Sequence, residues 1–147
     1  MLRVTIRDTV ADAVYEGTVY TQTVSAELVD GSRVEVEDPT CEFEETDIGS
    51  TFTVDLRGQS VQAVRGNPEE SAGVVPGDAG GVDVHGRVDA VAAGDEHPIE
   101  IDVGDGSLRV DVPDEDSVEV GDWITVRGAR LFLRSVETEH GDRDVRR

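Results

Sequence analysis

The sequence predicts an all-β fold, and three observations carry this prediction. Valine, isoleucine and leucine alternate with charged residues over most of the 147 residues, as in the runs at 99–103 and 108–112. Helical spacing of apolar residues is nearly absent. Two Asp-Gly pairs, Asp30-Gly31 and Asp105-Gly106, each stand between alternating runs. Alternation indicates strands with one buried and one wet face, and Asp-Gly between two such runs is a strong hairpin signal.

The first half contains a short series of predicted strands. Gly17 lies inside a strand that follows an added N-terminal strand, and the Asp30-Gly31 hairpin comes next, with a type I′ turn. A longer loop then leads to the segment IGSTFTVDLRG. The predicted N-terminal strand, loop, fourth-strand segment and last strand cover residues 3–8, 39–49, 48–58 and 60–65.

The second half repeats this order of elements. Gly86 lies inside its first strand, the Asp105-Gly106 hairpin follows, and VGDWITVRG corresponds to IGSTFTVDLRG. Its five predicted strands cover residues 82–92, 98–103, 107–112, 122–127 and 130–137. The chain therefore reads as a duplicated β unit.

The segment NPEESAGVVPGDAGG separates the two units, since it is rich in proline and glycine and has no periodicity. The predicted organisation is a first barrel at 1–66, a linker at 67–81, a second barrel at 82–137 and a flexible tail at 138–147. A strand glycine permits the sharp bend of a small barrel, and five strands with this hairpin are typical of an OB-like barrel. The predicted fold class is two tandem small OB-like β-barrels, either packed together or separate. An SH3-like barrel pair or one continuous sandwich is the alternative.

The composition is that of a salt-adapted protein. The formal net charge is -20, and all 13 basic residues are arginine. At about 1 M salt the Debye length is roughly 3 Å, so repulsion among surface carboxylates is largely screened. This composition resembles that of haloarchaeal proteins. A single cysteine, Cys41, and the lack of a long apolar run or secretory signal lead us to expect a cytoplasmic protein that does not enter membranes.

The segment VEVGDWITVRGARLFLRSVE resembles the fourth and fifth strands of archaeal single-strand-binding OB domains. The resemblance extends over most of the second half and implies binding of single-stranded nucleic acid by the second barrel. Alternation places arginines and aromatic residues together on its outer face, where bases can stack. The candidate nucleic-acid-binding residues are Arg87, Arg109, Trp123, Arg127, Arg130, Phe132 and Arg134.

A protein-interaction or assembly module without a nucleic-acid ligand is the alternative function, and its partner would be another protein or a second copy of the chain. Glu100, Asp102 and Asp111 belong to the same predicted groove, and phosphate contacts weaken steeply as salt rises. In this interpretation Trp123 and Phe132 cover the junction between the repeats, and the arginines pair with nearby carboxylates.

The sequence contains no recognisable catalytic or metal-binding motif. His85, His97 and His140 lack metal-ligand spacing, and no serine or cysteine has a partnered histidine in a recognisable pattern. We therefore expect a non-catalytic protein without a cofactor or a metal.

Overall fold

A computed structural model describes residues 1–59, 63–66, 71–77, 81–91, 98–111 and 118–137. Their regular secondary structure consists of strands, apart from one 3-10 turn at Glu45–Asp47. The strands are β1 (Leu2–Tyr15), β2 (Thr18–Leu28), β3 (Arg33–Asp38), β4 (Thr51–Gln59), β5 (Ala63–Arg65), β6 (Gly73–Pro76), β7 (Val82–Val91), β8 (Pro98–Asp102), β9 (Ser107–Asp111) and β10 (Trp123–Glu137). The predicted all-β class is confirmed.

All these strands belong to one hydrogen-bonded sheet, which closes on itself. Two five-strand circuits can be traced in it. The first circuit runs β1–β2–β3–β10–β4 and back to β1, and the second runs β7–β8–β9–β4–β10 and back to β7. Both circuits therefore contain the antiparallel pair of β4 and β10.

Each of these two shared strands serves both circuits with different parts of its length. Residues 51–54 of β4 pair with β1, whereas residues 57–59 pair with β9 in the other half. The first part of β10 pairs with β7, and its residues Leu131 and Phe132 pair in parallel with Val36 and Glu37 of β3. Two tandem barrels, each closed within its own half, are therefore not confirmed.

The repeat itself is visible, but one landmark differs from the prediction. β1 to β3 correspond in order to β7 to β9, so the predicted added strand is the start of β1, the first strand of its unit. Gly86 lies within β7 as predicted, whereas Gly17 lies in the turn between β1 and β2 with φ +79°. The prediction of Gly17 inside a strand is wrong, because it mistook a hairpin turn for a strand bend.

Both predicted Asp-Gly hairpins form, but without type I′ turns. Gly31 has φ +90°, Asp30 has no positive φ, and the Gly31 N–H donates to the Leu28 carbonyl. This is a tight turn followed by a left-handed glycine, another common hairpin geometry. In the second hairpin the left-handed residue is Gly104, whereas Gly106 is held beside the Met1 carbonyl.

Residues 128–130 also differ from the prediction. Two strands with a connection were expected there, but β10 is continuous from Trp123 to Glu137. Gly128 has φ +65°, and the pairing with β7 shifts between Val126 and Ala129. The extra residue is accommodated as a bulge, which bends a strand without ending it.

A single hydrophobic core connects the two halves. It includes residues of β1 to β4 together with residues of β6 to β10, all buried. Gly58 of β4 lies opposite Leu131 of β10 in their antiparallel pairing. A Cβ at Gly58 would be 3.4 Å from Val110 Cγ2 and 3.6 Å from Leu131 Cδ2. The apolar residues of the alternating runs thus fill one core that both repeats share.

The predicted domain boundaries at 66, 81 and 137 stay predictions. Within the predicted linker, Gly73–Pro76 forms β6, which pairs with β7. Residues 67–70 and 78–80 of that linker, and the predicted tail at 138–147, lie outside the described residues.

Gly86 should tolerate no side chain. A Cβ at this position would overlap the Asp102 carbonyl oxygen and lie 2.7 Å from Ile101 Cγ2. We expect Gly86→Ala to lower the free energy of unfolding by about 1–3 kcal/mol, the usual cost of overpacking. Chemical denaturation in molar salt measures this. Gly73→Ala in β6 is the matched control, because nothing lies within 4 Å of its Cβ position. Equal stability of the two variants would contradict the packing described for β7.

Candidate interaction surfaces

The outer face of β10 carries most of the predicted site residues. Its buried residues include Ile124, Val126, Leu131 and Leu133, so the residues between them point outward on each side of the Gly128 bulge. This arrangement agrees with the alternation read from the sequence. Because β10 does not turn back, however, Trp123 and Phe132 are separated along one strand by about 30 Å, at roughly 3.3 Å per residue.

Phe132 lies where two grooves meet. The first groove has a volume of about 390 Å³ and the second about 340 Å³, and Phe132 and Pro39 line both. The first groove is lined by Asp12, Thr21, Gln22, Thr23, Glu37, Pro39, Arg130 and Phe132. The second is lined by Pro39, Arg57, Gln59, Asp111, Phe132, Leu133 and Arg134. The structure thus brings Arg130, Phe132 and Arg134 together.

A buried carboxylate holds the loop that contributes Pro39. Asp38 is fully buried and accepts hydrogen bonds from Gln22 Nε2 at 2.8 Å, the Glu42 N–H at 2.9 Å and the Phe43 N–H at 3.1 Å. Gln22 Nε2 also donates to the Phe43 carbonyl at 2.7 Å. A buried charge is tolerated when it is hydrogen-bonded in this way. These bonds place Pro39 beside Phe132.

Two arginines of the grooves are paired with carboxylates across the boundary between the halves. Arg57 of β4 donates from Nε and Nη2 to Asp111 of β9, at 2.9 and 2.7 Å. Arg130 of β10 donates to Glu37 of β3 at 2.7 Å. Arg134 is exposed and forms no ion pair within the described part of the chain. The contacts therefore favour the interpretation in which Phe132 and Arg130 occupy the junction between the repeats.

The remaining predicted residues lie elsewhere. Trp123 is half-buried, its ring centroid is 5.5 Å from that of His85, and its strand position is opposite Arg87. Arg87 forms an exposed ion pair with Asp89 at 3.4 Å. The predicted residues therefore do not form one cluster.

Arg109 and Arg127 are exposed but line neither groove. Arg109 lies opposite Arg57 in the parallel pairing of β9 with β4, and Arg127 precedes the Gly128 bulge.

The exposed apolar side chains of the β1–β2 hairpin were not predicted from the sequence. Residues 8–23, the outer part of the β1–β2 hairpin, are named here the hairpin arm. Its large apolar residues, with their exposed fractions, are Val10 (56%), Val14 (56%), Tyr15 (64%), Val19 (40%) and Tyr20 (55%). In β1, residues 8–15 pair with β2, whereas the pairing with β4 covers only residues 2–5. The signal was present in the sequence, because this run has three carboxylates and no arginine.

Two side chains have shifted pKa values. The hydrogen bond from Arg7 lowers the pKa of Glu27 below its usual value. Burial, followed by the negative charges of Asp38 and Asp12, raises the pKa of the Cys41 thiol. The thiol also donates to the Val19 carbonyl at 3.7 Å. Since the thiolate is the reactive form, Cys41 is poorly suited to nucleophilic chemistry.

Comparison with known proteins gives no family. No protein-family model matches the chain, and no curated protein matches it in sequence. The described residues contain no group of three or more His, Cys, Asp or Glu side chains able to hold a metal ion. They also contain no helix of the length and apolarity needed to cross a bilayer.

Cys41 should react slowly with iodoacetamide. At pH 9, a thiol with the ordinary pKa of 9.0 is half ionised, whereas the raised pKa of Cys41 leaves it less than half ionised. Asp12→Asn removes one of the two charges that raise this pKa, so alkylation at fixed pH should become faster. Asp8→Asn is the control, since Asp8 does not contribute to the shift. Equal alkylation rates in both variants would rule out the electrostatic cause.

Proposed function

We propose that this chain is a non-catalytic protein-interaction module that docks a partner through the hairpin arm. The exposed side chains of the arm carry the proposal. A hairpin that projects Val14, Tyr15 and Tyr20 into solvent is costly in water unless it is covered, and clustered exposed apolar residues commonly mark interaction sites.

The chemistry of the arm specifies its partner. The described pairings leave the outer backbone edge of residues 8–15 open, and such an edge accepts an added strand. The arm carries Asp8, Asp12 and Glu16 but no arginine. Charge complementarity therefore favours an extended apolar segment of another protein with basic flanks. A second copy of this arm fits less well, since it would bring like charges together.

The rest of the molecule supports this function as a rigid platform. The two circuits share strands and one core. The part of the sheet from which the arm projects is therefore packed against the second half as well. We also infer that the circuits are OB-like barrels that share strands, because each joins five strands with a hairpin between its second and third. The setting that best fits the acidic surface is a salt-rich cytoplasm.

Tyr15→Ser should weaken partner binding about tenfold or more, because a central aromatic contact commonly contributes over 1.4 kcal/mol. The measurement is photo-crosslinking from position 14 in lysate of the producing cells at molar salt, with mass-spectrometric mapping. We expect an adduct on an apolar segment with flanking arginine or lysine, and Tyr15→Ser should reduce its yield. Val120 is the matched control, because it has the same exposed fraction of 64% outside the arm. Adducts on the hairpin arm of a second copy, or equal effects of Tyr15→Ser and Val120→Ser, would contradict the proposal.

Binding of single-stranded nucleic acid is the second candidate, and one observation favours it. Phe132 stands between Arg130 and Arg134 where both grooves meet, which offers a base a stacking surface beside cationic groups. The surrounding carboxylates Glu37 and Asp111 oppose a phosphate backbone. This candidate therefore depends on stacking.

If the grooves bind single strands, Phe132→Ala should weaken binding about tenfold, given roughly 1–3 kcal/mol for each stacked base. Fluorescence anisotropy of labelled oligonucleotides at several salt concentrations measures this. Trp123 emission should stay unchanged, because Trp123 lies far along β10 from the grooves. Trp123→Phe is the control variant. Binding that is insensitive to Phe132→Ala but quenches Trp123 would place the ligand elsewhere.

A further inference from the structure

Neither circuit is complete within its own half of the chain. The first needs the end of β10, whose Leu131 pairs with Val36 of β3. The second needs the end of β4, whose Gly58 pairs with Val110 of β9. The two halves thus share β4 and β10 and bury one core between them.

Polar contacts also join the two halves. The terminal amine of Met1 donates to Ser107 Oγ at 3.0 Å, and the Ser107 N–H donates to the Met1 carbonyl at 3.2 Å. The Arg57–Asp111 and Arg130–Glu37 ion pairs also join one half to the other. All these contacts require one first half and one second half, but none requires both halves to belong to the same molecule.

From these contacts we propose that a second copy of this chain is a partner, accepted by exchange of halves. In the exchanged dimer, the first half of each chain closes its circuit with the second half of the other. The two forms make the same contacts, so the connection between the halves decides which one forms. Exchange of identical elements between protomers is a low-cost route to a dimer.

The segment between Gly66 and β6 connects the two halves, because β6 pairs with β7 of the second half. A short tether gives an effective concentration on the order of 1 mM, so the closed monomer is favoured at micromolar concentrations. In concentrated protein the exchanged dimer competes. At about 1 M salt the Debye length of roughly 3 Å screens the repulsion between two chains of net charge -20. Exchange should therefore depend on both protein concentration and salt.

Cysteine pairs test the exchange directly, in full-length chains with Cys41→Ser. Phe132 and Glu37 are direct partners in the parallel pairing of β10 with β3, so cysteines at these positions lie at disulfide distance. One chain carries Glu37→Cys and the other Phe132→Cys. The two are mixed unfolded, refolded by restoring salt at about 1 mM, and oxidised. We expect a disulfide-linked species of twice the chain mass, and none after refolding at micromolar concentration.

Ser135→Cys replaces Phe132→Cys in the control pair, because Ser135 lies opposite Asp55 of β4 and away from β3. A chain carrying both Glu37→Cys and Phe132→Cys should form an internal disulfide. If that bond forms but no linked dimer appears at about 1 mM, exchange between chains is refuted. If the internal bond fails to form, the pairing of β10 with β3 described above is wrong. Tyr15→Ser should leave the linked dimer unchanged, so this result is independent of docking through the arm.

Discussion

The passage of two strands from one circuit into the other is the constraint on which the rest of this structure depends. β4 and β10 lie antiparallel along the middle of the sheet, and each changes its outer neighbour partway along its length. Such a strand must present apolar residues to both circuits. β10 takes up a bulge at Gly128, and β4 has a glycine at Gly58, where Val110 of β9 and Leu131 of β10 pack close to its backbone. Folding of either half is therefore coupled to folding of the other.

The same crossing determines what the outer surface can offer. Phe132 has β3 on one side and β4 on the other, so the only aromatic residue on the outer face of this part of β10 lies at the boundary between the halves. The loop held by Asp38 adds Pro39 beside it. The arm is different, because residues 8–15 extend beyond the pairing of β1 with β4. One surface is thus a consequence of closing the sheet, whereas the exposed apolar side chains at the outer end of the arm lie beyond the pairing of β1 with β4.

The local sequence pattern predicted most strands of this fold, but it could not predict which strands pair with each other. Strands β7, β8 and β9 end within one residue of the ranges expected from alternation. Alternation shows which side of a strand is buried, but it carries no information about the neighbouring strand. A glycine between two alternating runs is equally compatible with a turn and with a bulge, as Gly17 and Gly128 illustrate. The predicted site was scattered for the same reason: Trp123 and Phe132 do share an outer face, but a bulge leaves them far apart where a turn would bring them together.

The exposed apolar side chains of the arm stand out in a chain of net charge -20. The 33 acidic residues of the chain keep water and counterions at its surface. In the arm, large apolar side chains such as Val14, Tyr15 and Tyr20 are exposed beside the acidic residues. Stability does not account for this choice, because these side chains are exposed and contribute little to the core. Solubility does not account for it either, since exposed apolar patches favour association. The docking that we propose would cover this apolar surface of the hairpin arm.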